Sequence, residues 1–370
     1  MKSLMRRSIS GACAVLMAAF FCWPVVSLAE EPITLENLPA LEPNKADEAL
    51  AAEFSVAAAA RFLDSSSLHW QQEKNCMTCH TNFAYLMARP AISANVPAHA
   101  AVREYTENLV NERWESNGPR WDAEVVMAAA MLACNDALTT GQLHPASRKA
   151  LDRIWTVQRE DGGFDWIKCD WPPMESDDFF GAAMAAIAAG IAPDEYAKTP
   201  AAAAGLGKLK AYLANTPAPH LHHKALLVWA CKYLPDLIPA AEQQACVGEL
   251  LKLQKEDGGW GLATLGDWKR KDGSPQDTAS SDGYGTGLVV YVLRQSGLPA
   301  TDVRVARGVQ WLKSHQRASG RWFTRSLFQD NHHYLSHAGT AYAVMALGSC
   351  DEFKPIAATD VENTTAAVNP

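Results

Sequence analysis

One spacing recurs in this chain and limits what it can fold into. Gln158 is followed after five residues by Phe164, and the interval holds Asp161-Gly162-Gly163. Gln254 and Trp260 enclose Asp257-Gly258-Gly259 in the same way, and Gln316 and Trp322 enclose Gly320. A weaker copy runs from Glu115 to Trp121 around Asn117-Gly118. Glycine accepts positive φ, so each copy reads as a tight turn between two helices. Three matching copies point to a repeated unit rather than to unrelated turns.

The segments after these turns are also alike. The stretches 123–130, 179–184, 284–290 and 338–345 are small, apolar and nearly free of charge. A helix apolar all round is buried on all sides. The helix before each turn is amphipathic, as in Leu250-Leu251-Lys252-Leu253-Gln254-Lys255, and faces solvent on one side. Such pairs, repeated at about 45–60 residues, suggest helical hairpins that stack and bury a shared core. Six inner helices can be counted, starting near Cys79, Asp122, Asp177, His222, Asp282 and His337. Six hairpins close a double ring. The expected fold is therefore all-α, an α/α toroid over residues 56–350 in one domain. Residues 30–55, rich in Pro, Glu, Asn and Ala, read as a leader, and 351–370 read as a disordered tail.

Residues 1–29 read as an export signal, with an uncleaved membrane anchor as the alternative. Lys2, Arg6 and Arg7 precede an apolar run that Pro24 breaks, and Ser27-Leu28-Ala29 offers a cleavage site. Cleavage there would leave 30 Lys and Arg against 41 Asp and Glu, a net charge of −11. That balance argues against a nucleic-acid partner. No later stretch has the length and apolarity of a membrane span. The expected location is the periplasm or another extracytoplasmic space. Seven cysteines would remain, an odd number that excludes a complete disulfide framework.

The Gln-to-aromatic pieces resemble the QW motifs of squalene–hopene and related triterpene cyclases. In that family the Gln and Trp staple outer helices together, and the resemblance implies the same role for Gln158, Gln254, Trp260, Gln316 and Trp322. This chain is about half as long as such cyclases, which use two helical domains. It therefore resembles their catalytic half, or a protein prenyltransferase β subunit. Glu175-Ser176-Asp177-Asp178 resembles their acid motif Asp-x-Asp-Asp. The resemblance implies Asp177 as the donor of a proton to an isoprenoid double bond, flanked by Glu175 and Asp178. Phe179, Phe180, Trp166, Trp171 and Tyr284 could offer aromatic faces to a cation. Two departures stand out: Glu175 replaces the first Asp, and Phe179-Phe180 replaces the family's Thr-Ala.

Cys76-Met77-Thr78-Cys79-His80 is absent from those families. Two thiols and an adjacent His at this spacing match the attachment sequence of a c-type haem, with His80 as an iron ligand. His337, His222, His223 and Met87 are candidates for the second axial ligand, with an open position as the alternative. Zinc is the alternative metal, with Asp282 and His337 at repeat positions comparable to prenyltransferase ligands. A plain disulfide or free thiols at Cys76 and Cys79 is the third reading.

In a toroid the inner-helix starts share one mouth. Here they carry Cys76, Cys79 and His80, then Asp122, then Glu175, Asp177 and Asp178, then His220, His222 and His223, then Asp282 and His337. Asp177, Asp282 and Ser336 also suit plain helix caps. Residues 267–275 read as a polar insertion over the mouth, and His332 and His333 as solvated loop residues. The expected function is binding or transforming an apolar, isoprenoid-type substrate in the ring, with haem c added. The alternatives are a haem-c electron-transfer protein with a redox partner, and a non-catalytic lipid-binding module.

Overall fold

The computed structural model describes residues 31–74, 80–169, 171–330 and 334–355. Cys76, Cys79, His332, His333 and the signal segment 1–29 lie outside the described residues, as does most of the expected tail. The described residues from Pro32 onward belong to one compact unit. Among them there are twelve helices of ten residues or more and no strand.

The outer helices are α1 (Val56–Lys74), α3 (Pro97–Asn108), α5 (Pro145–Val157), α7 (Pro200–Asn215), α9 (Ala240–Lys252) and α11 (Val303–Ser314). They alternate with the inner helices α2 (Asn82–Ile92), α4 (Asp122–Leu138), α6 (Asp178–Ile191), α8 (Leu221–Ala230), α10 (Gly283–Gln295) and α12 (Leu335–Ser349). Each inner helix packs on the next, and α12 packs back on α2, so the ring closes. The expected α/α toroid is the observed fold, and all six inner helices start within three residues of the expected points.

Burial follows the sequence pattern. Helix α4 is buried without interruption from Ala123 to Asp136, and α6 from Phe179 to Ala189. Helix α5 buries only Ala146, Ser147, Ala150, Leu151 and Ile154, one stripe of its surface.

The three repeated turns act as staples. Gln158 Nε2 donates to Gly162 O within its own turn and to Gly205 O on the next outer helix, α7. Gln254 does the same with Gly258 O and Arg304 O. Gln316 donates to Gly320 O and Ser55 O, while Ser55 N donates to Gln316 Oε1 at 2.7 Å. That last staple joins the final hairpin to the first. Gly320 has φ +90°, and a Cβ there would lie 2.2 Å from Ala58 O. Both its backbone angle and its closeness to α1 therefore exclude a side chain.

Each turn is also tied inward. Two residues past the aromatic, Trp166 N, Leu262 N and Thr324 N donate to Asp178 Oδ1, Asp282 Oδ2 and Ser336 Oγ. One helical turn further along, Thr286 Oγ1 and Thr340 Oγ1 accept from Trp260 N and Trp322 N. The indoles of Trp260 and Trp322 donate to Leu250 O and Leu312 O, at the ends of their outer helices. The weaker copy makes no staple of this kind. Trp121 is 51% exposed beneath the Arg120 guanidinium, because a glutamate replaces the glutamine and pairs with Lys149 instead.

The segment ahead of α1 lies along the final staple. Ala51 N donates to Gln316 O and Ala318 N to Ala49 O, and the Glu48 carboxylate pairs with Arg321. Removing the Gln316 side chain would take these partners from the half-buried Ser55 N and the buried Gly320 O. Gln316→Ala is expected to cost about 2–3 kcal/mol, read as a lower urea midpoint at unchanged slope. An unchanged midpoint would contradict the staple.

Candidate functional site

The inner-helix starts meet through a chain of side-chain contacts. Thr81, capping α2, reaches His337 on α12; Tyr284 on α10 reaches His222 on α8; His223 reaches Asp177 at the start of α6. The sequence-distant groups therefore share one mouth, where they form two separate assemblies.

The first centres on His80. Its Nδ1 lies 2.7 Å from Thr81 Oγ1, which lies 3.0 Å from His337 Nδ1. One hydroxyl, a donor and an acceptor at once, thus bridges the buried imidazole of His80 and the half-buried one of His337. Tyr334 stacks on His80 with centroids 5.0 Å apart and planes at 13°, and Trp70 meets the same ring edge-on at 4.6 Å. Burial and the neighbouring His337 lower the His80 pKa to about 3, and burial with Arg321 lowers that of His337 to about 4. Both rings are neutral at pH 7, the form that binds a metal.

His80 opens onto a cavity of about 390 Å³, its mouth included, lined by Trp171, Met174, Glu175, Phe328 and Tyr334 among others. The enclosed space itself is about 30 Å³, room for roughly one water. Burial raises the Glu175 pKa above the usual carboxylate value. Trp171 and Glu175 pair across a short turn, with Glu175 N donating to Trp171 O.

The second assembly fills the ring axis. His222 and His223 are fully buried. His222 Nε2 lies 2.9 Å from the Tyr284 hydroxyl, and Phe180 stacks on the same imidazole. Asp177 is the N-cap of α6: Oδ1 accepts from Phe180 N, and Oδ2 lies 3.2 Å from both His223 Nε2 and Ser176 Oγ. Burial pushes the Asp177 carboxyl up, but the His223, Phe180 and Ser176 contacts outweigh it and hold the pKa low. Asp178 obeys the same logic, with Arg159 and Lys168 outweighing its burial. Of the acid motif, only Glu175 faces the cavity with a raised pKa.

Asp282 lies apart from His80, as N-cap of α10. Burial raises its pKa to about 6, against hydrogen bonds from Gly285 N, Leu262 N and Thr324 Oγ1. The insertion 267–275 covers this end of the ring. Trp268 packs on His220 and His222, and Arg270, buried, donates to Ser326 O and Asp330. Met87 is buried within α2. Among the described residues no three His, Cys, Asp or Glu side chains gather into a metal site.

Sequence reasoning passed over Thr81, Trp70, Tyr334 and Met174. The first three lie close to the motif histidines along the chain, and that adjacency was the available signal. Met174 carries no such signal, because a turn of the chain brings it in.

No family model matches the sequence, and no curated protein matches it. Among solved structures, the chain is similar to a substituted glycosidase at 11% identity, with a TM-score of 0.51, over 79% of this chain and 96% of that one. It is similar to ent-copalyl diphosphate synthase from Streptomyces platensis at 17% identity, over 73% of this chain and 50% of that one, with a TM-score of 0.48. It is similar to a type II terpene cyclase from Scytonema, in complex with geranylgeranyl dihydroxybenzoate, at 14% identity, over 79% and 97%, with a TM-score of 0.42. The chain thus spans about half the length of the ent-copalyl diphosphate synthase. At such identities likeness speaks to fold alone, and an all-helical toroid is what it supports.

Thr81→Val keeps the shape but leaves the facing nitrogens of His80 and His337 unpaired, and should cost about 1–3 kcal/mol in a urea titration; a neutral effect would contradict the bridge. Burial also holds His99 and His337 at about 4, and His222 well below the ordinary value. As pH falls below about 6.5 the unfolded chain takes up protons first, so stability drops progressively towards pH 4. Asp282, between about 4 and 6, and the raised carboxyls of Glu175 and Asp122 act in the opposite sense, against the four histidines His80, His99, His222 and His337. The urea midpoint should be lower at pH 5 than at pH 7; equal midpoints would contradict the burial of these rings.

Proposed function

We propose that this is an exported toroid protein that carries covalent haem c on Cys76 and Cys79, with His80 as an iron ligand. We further propose that it holds an apolar, isoprenoid-type molecule at the mouth of its ring. The observation that carries the reading is the setting of His80. The ring is buried and neutral, Nδ1 is engaged by Thr81, and the ring lines an aromatic-walled cleft. A hydrogen bond at one imidazole nitrogen fixes the tautomer and orients the other nitrogen for a metal. These residues fit the group that the Cys-x-x-Cys-His spacing calls for.

When bound, the haem supplies one-electron chemistry at its iron. The chain's own contribution is positioning and exclusion. Thr81 and His337 hold the His80 ring in place, and Tyr334 and Trp70 fix its plane. Trp171 and Phe328 add apolar surface at the cleft, against which an apolar ligand would lie. One-electron exchange calls for a redox partner at the mouth.

A specific observation also favours acid chemistry on such a ligand. An alkene is a weak base and needs a desolvated, protonated acid. Glu175, raised by burial and lining the cavity, meets that need better than Asp177 or Asp178, whose partners hold them ionised. In this reading Glu175 is the acid, and Glu175→Gln abolishes turnover of an isoprenoid while Asp177→Asn does not.

The haem reading is tested by exporting the protein together with haem-maturation machinery. A covalent mass increase of one haem and a Soret band are expected, both lost in Cys76→Ser/Cys79→Ser. Export with neither signal would overturn it.

A further inference from the structure

We infer that a cleft between the outer helices α7 and α9 binds the hydrocarbon chain of a long-chain fatty acid, whose carboxylate meets Lys210 at the rim. The cleft begins with a gap in the repeat. The turns after α5, α9 and α11 each staple their hairpin to the next one. The connection after α7, Thr216-Pro217-Ala218-Pro219-His220, holds neither the glutamine nor the glycine of those turns. No such staple therefore draws α9 onto α7, and a cleft opens between them. Its enclosed space is about 640 Å³, against about 30 Å³ at His80, and lies within the range of ordinary ligand pockets. The two clefts share no lining residue.

The walls are apolar. Leu213 of α7, Leu227 of α8, Cys246 of α9 and the turn residues Leu237 and Ile238 surround a floor at Phe179 of α6. None of these six is more than 9% exposed. Recessed side chains of this kind give a flat protein partner little to touch, whereas a thin, flexible chain can enter and bury its own apolar surface against them. The charges sit at the rim, and all but one are offset. Lys224 pairs with Glu249 at 3.8 Å, and Glu242 lies in the first turn of α9, where the helix N-terminus offsets its charge. Lys210 has neither a hydrogen bond nor an ion pair among the described residues. One uncompensated cation beside an apolar cleft matches a single carboxylate on an apolar chain. This site is independent of the haem reading.

The test uses the full exported chain and oleate below its micelle concentration, read by calorimetry at pH 7. Saturable one-to-one binding is expected. Ala214 and Ala245 face each other across the cleft from exposed helix positions, so a larger side chain fills the space without entering the core. Ala245→Trp and Ala214→Trp should each weaken binding by about tenfold or more, because the indole takes the volume that the chain needs. Lys210→Glu should weaken it about twofold to fivefold, the worth of an exposed ion pair. Lys208→Glu, exposed on α7 outside the cleft, should leave it unchanged. Cys76→Ser/Cys79→Ser should bind oleate like the unaltered protein. Urea midpoints confirm that the variants fold. Absence of saturable binding would overturn the inference, as would wild-type affinity in either folded tryptophan variant. A chain that takes no oleate but dimerises, with the dimer lost in Ala245→Trp, would give the cleft to a second copy and overturn it as well.

Discussion

The contact between the first and last hairpins governs this molecule. Gln316 reaches Ser55 across 261 residues of sequence, and α12 packs on α2. Without that closure the helical hairpins would form an open stack, as repeat proteins commonly do. Everything proposed at the mouth stands on this seam. His80 and Thr81 come from the first hairpin, and Tyr334 and His337 from the last. The hydroxyl bridge between the two histidines spans 256 residues. The cavity then adds Met174 and Glu175 from the turn before α6.

The same architecture sets the electrostatics of the mouth. Inner helices are apolar all round, so any titratable group at their starts is desolvated unless a partner offsets it. Asp177 and Asp178 have such partners in His223, Arg159 and Lys168, and stay ionised. Glu175 and Asp282 are pushed upward, and His80, His222 and His337 are kept neutral. One mouth thus holds ionised caps that serve the fold beside neutral groups suited to ligation or proton donation. The roles of neighbouring residues in a four-residue motif are split by their surroundings, not by their chemical type.

The fold was legible because its determinants are local and repeated. The five-residue interval from Gln158, Gln254 and Gln316 to an aromatic, with glycine between, specifies the turn, and the charge-free helices after it specify burial. The site was legible only in part. His80 and His337 could be placed at one mouth from repeat positions alone. Met174 could not, because a short paired turn brings it in, and Tyr334 was signalled only by its nearness to His337 along the chain. The protonation of Glu175 and Asp177 was hidden for a similar reason. It depends on His223 and on cavity geometry, both distant in sequence. The inward ties at Asp178, Asp282 and Ser336 show that residues suited to chemistry also hold the repeat together.

Amide hydrogen exchange read on peptide masses tests ring closure most directly. If the ring is closed through Gln316, peptides covering residues 51–59, 80–92 and 316–322 should be protected together, and Gln316→Ala should speed exchange in all three. Fast exchange at 51–59 in the unaltered protein, or acceleration confined to 316–322 in the variant, would mean that the hairpins do not form a closed ring.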